Sequence, residues 1–240
     1  MRKIGALLVA LGLAACGVSE AVGAAVAAAE TSFKDIPKRH WARSQIERAV
    51  SLGYVNGYPD GTFNAAASVT RAEFVKMMAD ALRLPHSQGG TPWYQGYVSA
   101  AFEFGILEET DSTDYNRPIK RVEIMRIIAR ALATEPSYGE YLESFQVLKK
   151  GDMPFEDRQE FQNRDVPFIA LVYGSGIVNG FPDRTMQINR TATRAETVVM
   201  MESFLEVRAA DPLLRDRLRQ FKSDELNKWT QIDPILEELK

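Results

Sequence analysis

Thr70-Arg71-Ala72-Glu73 returns 123 positions later as Thr193-Arg194-Ala195-Glu196, and a degenerate copy, Lys120-Arg121-Val122-Glu123, lies between them. A chance tetrapeptide would not bring its neighbours with it. Here Gly53-Tyr54-Val55-Asn56-Gly57-Tyr58-Pro59-Asp60-Gly61-Thr62-Phe63 aligns without a gap to Gly176-Ile177-Val178-Asn179-Gly180-Phe181-Pro182-Asp183-Arg184-Thr185-Met186, and the register holds through Arg71 and Arg194. The middle Arg-x-Glu aligns at a shift of 50, whereas Trp93 to Leu107 matches Trp41 to Val55 at a shift of 52, so the middle copy is two residues shorter in its loop. A unit of about 50 residues used three times marks an array whose single units cannot bury their apolar face alone.

Each unit reads as helix, turn-rich loop, helix. From His40 to Leu52, Trp41, Ile46, Ala49 and Val50 fall at helical spacing, and Gly53 follows where a C-terminal glycine belongs; Gly105 and Gly176 take the same place. The loop Asn56-Gly57-Tyr58-Pro59-Asp60-Gly61 stacks turn formers and predicts a tight turn rather than a strand. The second helix opens at the tetrapeptide and is expected to run to about Leu84, with Phe74, Met77, Met78, Ala81 and Leu82 on one face. Ile124, Ile127, Ile128, Ala131 and Leu132 repeat that face in the middle unit, and Met200, Met201, Phe204 and Leu205 in the last. Three such faces meet around one axis, which predicts a mainly α, pseudo-threefold assembly.

The tetrapeptide divides into two parts. Thr70 with Glu73, and Thr193 with Glu196, fit the Thr-x-x-Glu capping box, so helix initiation accounts for them. Arg71, Arg121 and Arg194 fall at the first helical position, where the helix dipole disfavours a cation by about 0.3 to 1 kcal/mol. Repeated placement against the dipole suggests an anion to be bound, with free helix amides and a guanidinium together receiving a carboxylate or phosphate. A salt bridge between units is the alternative use.

Composition removes several function classes. The formal charge of -3 offers no basic patch for nucleic acid. Two histidines and one cysteine leave little from which to build a zinc, iron-sulfur or Cys/His catalytic site, so no metal or other cofactor is expected. Asp60, Glu73, Asp183 and Glu196 are carboxylates, but no acid and base pair of stated separation emerges, and no catalytic residue is expected.

The N-terminus reads as an export signal over residues 1–29. Arg2 and Lys3 precede an apolar stretch, Ile4 to Ala15, too short to span a bilayer. Two attachments stay open. Leu13-Ala14-Ala15-Cys16 resembles the lipobox of bacterial lipoproteins, which would lipidate Cys16 and hold the chain to a membrane. Ala27-Ala28-Ala29 instead fits signal peptidase cleavage near residue 29. Either way an extracytoplasmic protein of the cell envelope or surface is expected.

Phe33-Lys34-Asp35-Ile36-Pro37 with His40-Trp41-Ala42, then Gly57-Tyr58-Pro59-Asp60-Gly61-Thr62-Phe63, then Val69-Thr70-Arg71-Ala72-Glu73-Phe74, resembles the S-layer homology domain from end to end. The last copy keeps Phe155-Glu156-Asp157, Gly180-Phe181-Pro182-Asp183 and Ala192-Thr193-Arg194-Ala195-Glu196, with Arg184 in place of a glycine. The middle copy keeps Trp93, Gly105 and Arg121-x-Glu123 but has Glu108-Glu109-Thr110-Asp111 in place of the Gly-Tyr-Pro-Asp-Gly loop. The units are placed at 33–85, 88–134 and 153–207, with an insertion at 135–152 and a helical tail at 208–240.

The resemblance implies a non-catalytic module that anchors exported proteins to a secondary cell-wall polysaccharide, pyruvylated in its better known form. By position it assigns Arg71, Arg121 and Arg194 to the acidic sugar, with Gly57, Tyr58, Gly180 and Phe181 lining grooves between units. Glu108, Glu109 and Asp111 would set acids against such a ligand in the middle unit, with Arg117, Lys120, Arg184 and Arg190 available to offset them. The insertion, Ser137 to Lys150, is expected to be a short helix with Tyr141, Phe145 and Leu148 inward. The tail carries Leu213, Leu214, Leu218, Phe221 and Leu226 and is the candidate contact for a protein partner. The alternative function is a lipid-anchored envelope scaffold whose repeats bind protein rather than glycan.

Overall fold

The computed structural model describes residues 33–209. The export signal with Cys16, and the tail from Asp211, lie outside the described residues. Seven α-helices are described: α1 (Arg43–Leu52), α2 (Arg71–Ala81), α3 (Gln95–Glu103), α4 (Arg121–Ala133), α5 (Pro136–Ser144), α6 (Val166–Gly174) and α7 (Arg194–Ala209). Four single 3-10 turns link α5 to α6. The fold is mainly α; among the described residues β pairing is limited to isolated bridges.

The first helices of the three units, α1, α3 and α6, are followed by Gly53, Gly105 and Gly176 at φ 81°, 69° and 75°. In that left-handed region a Cβ would crowd the carbonyl, so glycine ends the helix at the least cost. The loops of the first and last units are pinned from a distance. Asp35 accepts from the amides of Phe63 and Asn64 at 2.8 and 2.7 Å, and Asp157 accepts from Met186 and Gln187 at 2.9 and 2.7 Å. The loop tip closes on itself, with Asp60 accepting from the Thr62 amide and hydroxyl, and Asp183 likewise from Thr185. This is an Asx turn, which gives the backbone a local partner without a strand.

The packing order explains why single units would not stand alone. The second helix of each unit lies on the first helix of the next: α2 on α3, α4 on α6, and α7 back on α1. Of the expected inward faces of the second helices, Phe74, Met78, Ile124, Ile128, Met201 and Phe204 are at least 99% buried, whereas Ala81, Leu82 and Leu205 are half-buried at the edge of the core. Three antiparallel bridges tie the centre of the ring, Thr70 to Pro118, Lys120 to Thr191, and Ser68 to Thr193. The insertion helix α5 packs on α4 and α6, and Tyr141, Phe145 and Leu148 are buried.

Two expectations are corrected. Trp41 does not join the buried face of α1: the helix begins at Arg43, and Trp41 stands 61% exposed, as its counterpart Trp93 does at 49%. Its spacing from Ile46 reads as helical only if the helix starts early, and Pro37 with the turn to His40 delays it. Helix α2 stops at Ala81, before Leu84, because Arg83 turns to φ 54° and the Leu84 amide reaches back to Ala79.

Candidate functional site at the unit junctions

The helix starts are built as capping boxes. Thr70 Oγ1 accepts from the Glu73 amide at 3.2 Å while the Glu73 carboxylate accepts from the Thr70 amide at 2.7 Å; Thr193 and Glu196 do the same at 3.2 and 2.9 Å. Lys120 has no hydroxyl, so only the returning half survives in the middle unit, from the Lys120 amide to Glu123 at 3.0 Å. The first two amides of each of these helices are not free, which corrects the idea that they would help hold an anion. The Arg71 and Ala72 amides donate to Arg117 and Tyr115, those of Arg121 and Val122 to Arg190 and Ile188, and those of Arg194 and Ala195 to Ala67 and Ala65. Every acceptor belongs to the loop of the next unit, because the bridges bring that loop across each helix start.

The same geometry carries the three arginines into the junctions. Arg194 donates Nε to the Phe63 carbonyl at 3.0 Å and Nη2 to that of Asn56 at 2.9 Å, with its guanidinium carbon 5.2 Å from the Tyr58 ring centre and 4.7 Å from that of Phe63. Arg121 donates Nε to Met186 at 3.1 Å and lies 4.8 Å from the Phe181 ring. Arg71 lies 5.5 Å from the Tyr115 ring. A planar cation can be buried against a ring face because the ring quadrupole replaces part of its lost hydration. Burial draws the Arg121 pKa down, and the nearby Glu196 charge opposes it.

The junctions differ in charge. Arg71 is fully buried and forms an ion pair with Glu123 at 2.8 Å, with Asp111 at 3.7 Å. Arg121 and Arg194 form no ion pair among the described residues. The cations expected to offset the acids of the middle unit are largely engaged: Arg117 pairs with Glu123, Arg190 with Glu196, and Arg184 reaches Glu156 at 3.6 Å. Nor do the middle loop's acids all face outward. Asp111 is buried on Arg130 at 2.6 Å, and Glu108 meets the same arginine at 2.8 Å. Burial would raise the Glu123 and Glu196 carboxyls, but hydrogen bonds from Arg117 and Lys120, and from Arg190 and Thr193, outweigh it and hold both below the usual range.

Gly57 and Gly180 have a structural explanation. A Cβ on Gly57 would overlap the Phe33 ring and stand 2.9 Å from the Thr62 carbonyl; on Gly180 it would stand 3.0 Å from both Phe155 and the Thr185 carbonyl. Tyr58 and Phe181 do meet the arginines, each that of the preceding unit in the ring. Sequence reasoning missed Phe63 and Tyr115 as ring partners, and Glu123 as the partner of Arg71. Phe63 aligns with Met186, which carries no ring, and Tyr115 falls where the middle loop loses its alignment. At the junction of the second and third units a cleft of about 540 Å³ opens, with Arg117, Lys120, Arg126 and Arg164 among its lining residues.

The sequence model of the S-layer homology domain matches residues 32–75 and 154–198. An exoglucanase of Acetivibrio thermocellus is 29% identical over 184 residues, 73% of this chain and 16% of that protein. An S-layer protein of Bacillus anthracis is 32% identical over 115 residues, 44% of this chain and 14% of its own length. A cellulosome-anchoring protein of Acetivibrio thermocellus is 32% identical over 127 residues, 47% of this chain and 28% of that protein. The chain thus spans a small part of these relatives.

Proposed function

The chain belongs to the S-layer homology domain family, and from that premise we propose that its ring of units holds it to an acidic, pyruvylated polysaccharide of the bacterial cell wall without catalysing a reaction. Relatives named as S-layer and cellulosome-anchoring proteins support a role at the cell surface. The enzymes among the relatives are far longer than this chain, which matches 16% of the exoglucanase and 10% of the amylopullulanase, so their chemistry does not transfer.

One observation carries the reading: Arg121 and Arg194 are buried in the junctions, yet neither forms an ion pair with a carboxylate of the described residues, in contrast to Arg71. A buried cation with no carboxylate in contact is costly, and an arriving carboxylate would relieve that cost with charge-assisted hydrogen bonds. Tyr58 and Phe181 would flank the sugar beside its acid group.

The test is sedimentation with cell-wall sacculi, with and without their secondary polysaccharide, for the wild type and a triple Arg71, Arg121 and Arg194 to methionine variant checked by circular dichroism. Only the wild type with intact sacculi should pellet. Equal pelleting in all four arms would favour the scaffold that binds protein and reject glycan binding. Attachment at Cys16 belongs to the same proposal, and mass spectrometry of the mature N-terminus separates lipidation there from cleavage near Ala29.

A further inference from the structure

We propose that Glu123 acts as a built-in ligand that closes the first junction, so that the ring offers two carboxylate-binding sites, at Arg121 and Arg194, and not three. This rests on the reading that the junction arginines receive the acid group of the wall polysaccharide.

The three arginines come from one repeated motif, and their backbone settings match, yet their guanidinium groups end differently. Arg71 Nη1 donates to Glu123 Oε1 at 2.8 Å, and its Nε and Nη2 are sealed from solvent without a hydrogen-bond partner. No anion from outside can approach such a group without displacing Glu123. Arg121 uses Nε on a carbonyl, and Arg194 uses Nε and Nη2. Arg121 Nη1 and Nη2 and Arg194 Nη1 have no hydrogen bond among the described residues and are not among the sealed, unpartnered atoms.

The cause lies in two substitutions within the middle unit. In the outer units a threonine hydroxyl binds the carboxylate of its own capping box, from Thr70 to Glu73 at 2.9 Å and from Thr193 to Glu196 at 3.2 Å. Lys120 supplies no hydroxyl, and Glu123 instead shares Oε1 between Arg71 and Arg117 Nη2 at 2.6 Å. In the last unit Arg190 takes the equivalent carboxylate, Glu196, which makes no ion pair with Arg121. In the first unit Ala67 stands where Arg117 and Arg190 stand, and Glu73 makes no ion pair with Arg194 among the described residues. The loop change adds Asp111 on the far side of Arg71, 3.7 Å from Nη2. Arg71 therefore already holds a carboxylate, the group its counterparts leave to a ligand.

Isothermal titration of the full-length chain with a methyl glycoside bearing one ketal-linked pyruvate tests this. Two sites per chain are expected. Arg121→Met and Arg194→Met should each remove one site, with affinity there falling about tenfold or more, as expected for a lost charged hydrogen bond. Arg71→Met could fail to fold by leaving buried Glu123 with only Arg117 as ion-pair partner, so the decisive variant is Arg71→Met with Glu123→Met, which removes both charges. It should keep two sites and the wild-type affinity. Three sites in the wild type, or loss of a site in that double variant, would overturn the closed junction while leaving glycan binding intact. No binding by the wild type would overturn both.

Discussion

The Tyr54 hydroxyl donates to the Glu202 carboxylate at 2.6 Å, joining residues 148 positions apart and closing the last unit onto the first. Glu202 is 1% exposed and also meets Arg48 at 2.7 Å. The aligned positions elsewhere are apolar, Ile106 and Ile177 for Tyr54, and Ala79 and Ala129 for Glu202. The ring therefore carries a polar latch at the seam where its two ends meet.

Tyr54→Phe removes the hydroxyl and leaves a buried carboxylate oxygen without its donor. A loss of about 1 to 3 kcal/mol is expected, and at about 2 to 4 °C per kcal/mol for a domain of this size the melting temperature should fall by several degrees. Differential scanning calorimetry reads it; an unchanged melting temperature would show that the latch contributes nothing.

The latch also predicts a pH response. Burial raises the Glu202 carboxyl above its ordinary 4.5, although the Tyr54 hydrogen bond and the Arg48 charge oppose it. The folded state then holds the proton more tightly than the unfolded chain, so Glu202 costs stability as pH rises from about 4.5 through its folded pKa. Glu202→Gln should flatten that slope in urea melts across the range from pH 4.5 to neutrality. Glu196 has the opposite sign: held below 4.5 chiefly by its Arg190 hydrogen bond against the effect of burial, it contributes stability above that pH and loses it as pH falls further. Glu196→Gln should weaken the acid limb of the same profile.

Two glycines separate sterics from backbone preference. Gly57→Ala drives a methyl into Phe33 and the Thr62 carbonyl, and should cost about 1 to 3 kcal/mol by overpacking. Gly53→Ala meets open space and strains only its φ of 81°, at about 1 kcal/mol. Chemical denaturation should rank Gly57→Ala as the worse of the two.

Arg184 occupies the position of Gly61 in the last unit and shares its left-handed backbone, at φ 63° against 82°. Arg184→Gly relieves that strain and gives up an ion pair with Glu156 that is exposed at both ends. A net gain of about 0.5 to 1 kcal/mol is expected, because exposed pairs contribute little. A loss of stability would mean that the pair outweighs the strain.

Much of this molecule is written in the order of its residues. The repeat of Thr70-Arg71-Ala72-Glu73, the glycines after the first helices and the apolar faces of the second helices are local or periodic features, and helix geometry converts them directly into units with one buried side. They determined the mainly α fold, the helix starts at Arg71, Arg121 and Arg194, and the capping roles of Glu73 and Glu196. Which loop crosses each helix start could not be read, because that depends on α7 returning to α1 and on three bridges between residues far apart in sequence. Only the closed ring decided that the helix amides are occupied by the neighbouring loop, and that Arg71 meets a carboxylate, Glu123, while Arg121 and Arg194 form no ion pair among the described residues. A side chain's charge is fixed by its chemistry, but the counter-ion it finds is fixed by what the fold carries to within 3 or 4 Å, and that distance is set by tertiary packing.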